Sequence, residues 1–176
     1  MLTAVATFFI RRAERRIGVS LDYVRHIART DFSLLARYNK IFGFLDPNRQ
    51  VPAAAYHTAR LRGALAADCG TCVEAEINLA RAGGLDEQLI NTILRADFQT
   101  LPPELAPVVR LADAVTSRRE DDADARSAVT GTYGDAGLIE LSFAMNGAAM
   151  LPGIKRAMGH ATACDLPVMR RLSASQ

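Results

Sequence analysis

The sequence predicts an all-α fold, and three observations carry that expectation. Hydrophobic residues make up 49% of the 176-residue chain with alanine prominent, while aromatic residues are only 6% and tryptophan is absent. Small apolar side chains of this kind suit closely packed helices. Apolar residues recur at steps of three and four from Leu21 to Ile41, which is the helical period. Cys69 and Cys72 open a run of good helix formers that stops at Gly83-Gly84. The whole chain, residues 1–176, reads as one domain long enough to bury its own core.

Residues 1–18 form an N-terminal helical extension. Met1 to Ile10 is apolar and is followed by Arg11, Arg12, Arg15 and Arg16. It falls short of the ~20 residues that span a bilayer, and it lacks a charged n-region and a small-residue cleavage site. It is expected to be an amphipathic helix docked on this or another subunit, with a short interfacial anchor as the alternative. Val19 to Phe44 comes next as one long or broken helix, with Asp31-Phe32-Ser33 as the break and Leu45-Asp46-Pro47-Asn48 as the terminating turn. Val51 to Ala67, with Pro52 in its first turn, is the next helix.

Asp68 is the expected N-cap of the cysteine helix, Val73 to Ala82. Leu85-Asp86-Glu87-Gln88 opens a helix to about Ala96, and Pro102-Pro103-Glu104 opens another that Arg118-Arg119 closes. Glu120-Asp121-Asp122 reads as a solvated loop and the cap of the next helix. That short helix, from Ala123 to Thr130, is expected to turn at Gly131-Thr132-Tyr133-Gly134. Asp135 to Met150 is then a core helix with Glu140 and Asn146 as polar exceptions, broken by Leu151-Pro152-Gly153 before a last piece that carries Ile154, Met158 and His160.

The chemistry concentrates at Cys69 and Cys72. Two thiols separated by two residues lie within disulfide reach, and the partial positive charge of a helix N-terminus favours thiolate. Glu76 follows Cys72 by four residues and shares its face. If the chain reverses near Ala66-Ala67-Asp68, facing residues have numbers summing to about 133 by symmetry of an antiparallel pair, and His57 is level with Glu76. The candidate site is therefore His57, Cys69, Cys72 and Glu76. Bland readings stand beside it. The cysteines are also small hydrophobes, His57 an ordinary helix residue, and Glu76 a carboxylate within reach of Arg60 or Arg81. A structural zinc site needs four ligands, so the single Cys-x-x-Cys would have to borrow His57 and Glu76. Cys164 has no partner motif and reads as structural.

Bulk properties exclude other classes. With 21 basic and 19 acidic side chains the net charge is +2, too balanced to indicate nucleic acid as a partner. Three cysteines make no extracellular disulfide framework, and a reactive or metal-bound pair in the cytoplasm is the expectation.

An ionisable residue, then Cys-x-x-Cys, then an ionisable residue four positions on resembles the alkylhydroperoxidase D and carboxymuconolactone decarboxylase family. Leu45-Asp46-Pro47, Ala82-Gly83-Gly84-Leu85 and the stretch from Tyr133 to Leu141 extend the resemblance over residues 34–159. The peroxidase branch typically has Glu where this chain has His57 and His where it has Glu76, so the two groups are exchanged. The resemblance implies a helical bundle built on a Cys-x-x-Cys hairpin and assembled as a homo-oligomer. It implies a thiol peroxidase in which Cys72 attacks a hydroperoxide, Cys69 resolves the sulfenic acid, and His57 or Glu76 relays the proton. No dissociable cofactor or metal is implied, and a dithiol such as a lipoyl protein would return the disulfide to thiols. The alternatives are a decarboxylase-like lyase and a redox-sensing or zinc-held interaction module.

Overall fold

The computed structural model describes residues 2–47 and 49–161. Among these residues every regular element is helical: α1 (Leu2–Ile17), α2 (Asp22–Thr30), α3 (Phe32–Leu45), α4 (Ala53–Ala66), α5 (Gly70–Ala82), α6 (Glu87–Arg95), α7 (Ala106–Ala112), a π-helical turn (Asp113–Arg118) and α8 (Ala123–Ala157). The fold is all-α. Cys164 and the segment after it lie outside the described residues.

Short acidic side chains start several helices by accepting orphan backbone N–H groups. Asp31 accepts from Ser33 and opens α3 at the expected break. Asp86 accepts from Leu89 at the start of α6, and Asp122 from Ala125 at the start of α8.

The alanine-rich α4 is the hub, with α5, α6, α7, the π turn and α8 packed around it. Ala55, Ala59 and Leu61 are fully buried. The α4–α8 contact is close enough that a Cβ on Gly63 would lie 2.1 Å from the carbonyl oxygen of Met145. Only glycine lets the two backbones approach this far. Leu61, Ile90, Ile93, Leu105, Leu141 and Met145 fill the core around the hub.

Ala6 and Ile10 of α1 enter a second apolar cluster with Tyr23, Val24, Ile27, Leu35 and Tyr38. The N-terminal helix is thus docked on its own chain, while Phe8 and Phe9 stay exposed.

Of two expected breaks, one is present and one is absent. Within the turn read at Gly131-Thr132-Tyr133-Gly134, Gly134 is non-helical, with φ of 70° and ψ of 177°, and kinks α8 into two helical pieces. Leu151-Pro152-Gly153 does not stop the helix, and Pro152 lies inside it. A proline in a helix interior costs about 3 kcal/mol. The stripe Leu141, Ala144, Met145, Ala148, Pro152 and Lys155 is buried on both sides of it, and each large apolar side chain there contributes ~1.5–3 kcal/mol. Burial therefore outweighs the break. By length and composition α8 would suffice to cross a bilayer, yet here its buried stripe packs on α3, α4 and α7, while Ile139, Phe143 and Met150 stay exposed.

The helix expected from Pro102 begins later, at Ala106, and widens into the π turn after Ala112. Arg62 of α4 grips that turn, donating to both carboxylate oxygens of Asp113 at 2.7 Å and to the carbonyls of Ile93 and Leu94 at 3.1 and 2.8 Å.

Candidate active site

The connection from α4 to α5 is only a few residues long, and its conformation fixes the thiols. Asp68 adopts a left-handed φ of 49°, a region that Asp tolerates better than most residues. The N-cap of α5 is therefore Cys69 itself, one position after the expected Asp68. Its carbonyl accepts from the backbone N–H groups of Cys72 and Val73 at 2.9 and 3.0 Å. The two cysteines are free thiols whose sulfurs lie 3.0 Å apart and share a hydrogen bond. Cys69 is fully buried, and Cys72 is partly exposed.

Two neighbouring residues of α8 clamp this corner. Arg156 donates to the carbonyls of Ala67 and Asp68 at 2.9 and 3.0 Å. Lys155, 8% exposed, donates from Nζ to the hydroxyl of Thr71, which in turn lies 3.6 Å from the Cys69 sulfur. No carboxylate pairs with Lys155 among the described residues. Tyr23 lies under Nζ, with its ring centroid 5.9 Å away, and its hydroxyl is 2.5 Å from that of Tyr38. The Tyr23 hydroxyl is pushed up first by burial and further by the charge of both cysteines. Tyr38 is raised by burial, by Tyr23 and by Cys72.

Ionisation of the thiols is unequal. Cys69 is brought down to about 5, first by the hydrogen bond with Cys72 and then by the Thr71 hydroxyl, the Cys72 backbone amide and the charge of Lys155, against the opposing effect of burial. Cys72 is pushed up by that same hydrogen bond, by burial and by the charge of Cys69 and Glu76, with Lys155 opposing. The pair thus carries one negative charge and one proton. The charge favours Cys69, whereas solvent access favours Cys72.

The other predicted residues lie elsewhere. Glu76 is buried, and both its oxygens accept from Arg60 at 2.7 Å, Oε2 from Nε and Oε1 from Nη2. Arg60 also donates to the hydroxyl of Tyr56 at 2.9 Å and to the Leu45 carbonyl at 3.3 Å. The expected meeting of His57 with Glu76 is replaced by this ion pair. α4 ends at Ala66 and α5 starts at Gly70, so the reversal is centred on residue 68 and facing numbers sum to about 136. Arg60 then faces Glu76, and His57 slides toward Gly83, where an added Cβ would lie 2.3 Å from Nε2.

Nδ1 of His57 is buried without a hydrogen-bond partner among the described residues. Burial depresses the imidazole first and the charge of Arg60 depresses it further, while Glu76 acts in the opposite direction.

Glu140, noted in sequence only as a polar exception in a core helix, accepts from the backbone N–H groups of Arg49, Gln50 and Val51. It fixes the approach to α4 rather than the thiols. The side chains that sequence reasoning missed are Lys155, Thr71, Tyr23 and Tyr38. Thr71 sits inside the Cys-x-x-Cys motif and was open to notice. Lys155 lay beyond the expected break at Pro152.

No family model matches the chain, and neither the characterised proteins nor the solved structures include a significant match to it.

Proposed function

We propose that this chain is a thiol peroxidase, or more broadly a thiol-disulfide oxidoreductase, similar to the alkylhydroperoxidase D branch, with Cys69 and Cys72 as its redox couple. The observation that supports it is the pair of free sulfurs 3.0 Å apart beside a buried lysine that has no carboxylate partner among the described residues. A local positive charge of this kind stabilises thiolate, the reactive form of cysteine.

In the proposed cycle Cys72, the accessible thiol, passes its proton to Cys69 and attacks the distal oxygen of a hydroperoxide. The S–O bond forms and the O–O bond breaks. The alkoxide leaves and takes the proton now held by Cys69 to become an alcohol, which returns Cys69 to thiolate, and Cys72 becomes a sulfenic acid. Cys69 as thiolate then attacks that sulfur, expelling hydroxide that is protonated to water as the disulfide forms. An external dithiol, such as a lipoyl group, reduces the disulfide and is itself oxidised. Lys155 through Thr71 is the nearest proton source for the departing hydroxide. The relay expected of His57 and Glu76 is given up, because Arg60 occupies both oxygens of Glu76.

Steady-state consumption of an organic hydroperoxide with dihydrolipoamide tests the proposal. Turnover is expected in the wild type and none in Cys72→Ser. Cys69→Ser should react once and stall as sulfenic acid. Undiminished turnover in Cys72→Ser would contradict the assigned roles, and no peroxide consumption by the reduced wild type would contradict the function.

A further inference from the structure

A cleft of about 910 Å³ opens between α1, the α3–α4 connection and the far end of α5, and neither cysteine lines it. Its volume lies within the roughly 300–1,000 Å³ typical of small-molecule pockets. Phe9, Arg12 and Arg16 line it from one face of α1, Phe42 and Arg49 from the end of α3 and the connection after it, and Leu79 from α5. Phe9 is 61% and Phe42 46% exposed, so large apolar surface of the cleft lining stays in water. Such surface in a concavity marks a binding site more than scattered exposure does.

The charge on the walls is one-sided. Arg12, Arg16 and Arg49 have no anionic side-chain partner among the described residues, and the one carboxylate in the lining is Asp46. Arg60 also reaches the cleft, but its charge is matched by Glu76. His57 completes the wall, its Nδ1 without a hydrogen-bond partner among the described residues. A purely apolar ligand would leave three guanidinium groups without a counter-charge, and a bare inorganic anion would leave the phenylalanines wet.

We propose that this cleft binds an amphipathic organic anion, an alkyl or acyl chain ending in a carboxylate, with the chain along Phe9, Phe42 and Leu79 and the headgroup among Arg12, Arg16 and Arg49. The α1 helix thereby acquires a role beyond docking, since its apolar-then-basic sequence supplies both halves of the site. The proposal is independent of the thiol chemistry.

Calorimetric titration with decanoate and with decyltrimethylammonium, the same chain length with opposite headgroup charge, tests it. Decanoate is expected to bind one per chain and at least about tenfold more tightly than the cation. Arg12→Glu/Arg16→Glu should erase that preference. Ala53→Trp, which adds bulk to an exposed lining position, should weaken decanoate by about tenfold. Cys69→Ser/Cys72→Ser should bind decanoate as the wild type does, which keeps this result separate from the fate of the peroxidase proposal. Equal binding of the two headgroups, or no saturable decanoate binding, would overturn the assignment. Decanoate binding untouched by Ala53→Trp would move the chain to the exposed Val5 and Phe8 and overturn the cleft as its site. Loss of binding in the cysteine double variant would overturn the independence of the two sites.

Discussion

Two turns of α5 each receive a buried cation from a neighbouring helix, and the two are neutralised differently. At Glu76 the cation is Arg60 of α4, and its charge is met by a bidentate carboxylate and supplemented by Tyr56 and the Leu45 carbonyl. At Thr71 the cation is Lys155 of α8, and its hydrogen-bond partner is a neutral hydroxyl. The first arrangement is closed, since every charge has its counter-charge within the fold. The second is open, and the groups beside it able to supply a negative charge are the thiols, with Tyr23 and Tyr38 both pushed toward the neutral form. A closed pair organises the framework, whereas an open cation adds its charge to the hydrogen bonds that set the protonation of its neighbours.

The contrast is broken most severely at the closed pair. Arg60→Met leaves Glu76 buried without a partner, and the expected loss is ~3–5 kcal/mol in denaturant unfolding. Replacing both, as Arg60→Met/Glu76→Leu, should recover most of it, because no lone charge remains. A single-variant loss below about 1 kcal/mol would place the pair with exposed ones and remove the contrast.

The open cation is expected to show in reactivity more than in stability. Lys155→Met keeps the length and apolar stem of the side chain while removing its charge. The thiolate midpoint should rise, because the charge of Lys155 adds to the hydrogen bonds that hold Cys69 down, and peroxide consumption near pH 6 should slow accordingly. Identical midpoints in the two proteins would show that Lys155 does not act on the thiols.

A smaller effect concerns stability against pH. Between about 5, where Cys69 ionises in the fold, and the ordinary thiol value of ~8.5, the unfolded chain holds a proton that the native chain has lost. The contribution of Cys69 is therefore complete above ~8.5 and is lost as the pH falls through about 5. Above the ordinary value the sign reverses, because the unfolded chain releases the Cys72 proton that the raised native thiol keeps. The melting temperature of the reduced wild type, minus that of Cys69→Ser/Cys72→Ser, should pass through a maximum near the ordinary thiol pKa. A difference that is flat with pH would contradict the unequal ionisation.

The smallest effect belongs to a pair in water. Arg81 and Glu87 are 47% and 61% exposed, so Arg81→Ala should cost no more than ~1 kcal/mol, and less at high salt. A loss comparable to that of Arg60→Met would mean that burial does not distinguish the two pairs.

How much of the structure the sequence disclosed depends on the range over which each signal acts. Caps are local, and Asp31, Asp86 and Asp122 stand where single-residue chemistry places them. The alanine-rich α4 and the cysteine helix were legible from composition and period. Arg60 was a foreseen neighbour of Glu76, but its priority over His57 depended on the centre of the α4–α5 reversal, and a shift there doubles in the facing register. Long-range burial was illegible. Pro152 reads locally as a stop, and only the stripe packed on α4 carries α8 past it to Lys155 and Arg156. The surface contact of His26 with His160, at 3.0 Å, likewise joins residues with no shared motif.

The most direct test of the open-cation account is the ultraviolet thiolate absorbance of the fully reduced wild type, titrated from acid to alkali. The account predicts one thiolate per chain, appearing with a midpoint of about 5, and no second until well above the ordinary thiol range. Two thiols titrating together near ~8.5 would show that the fold leaves both cysteines unperturbed, and would contradict the account.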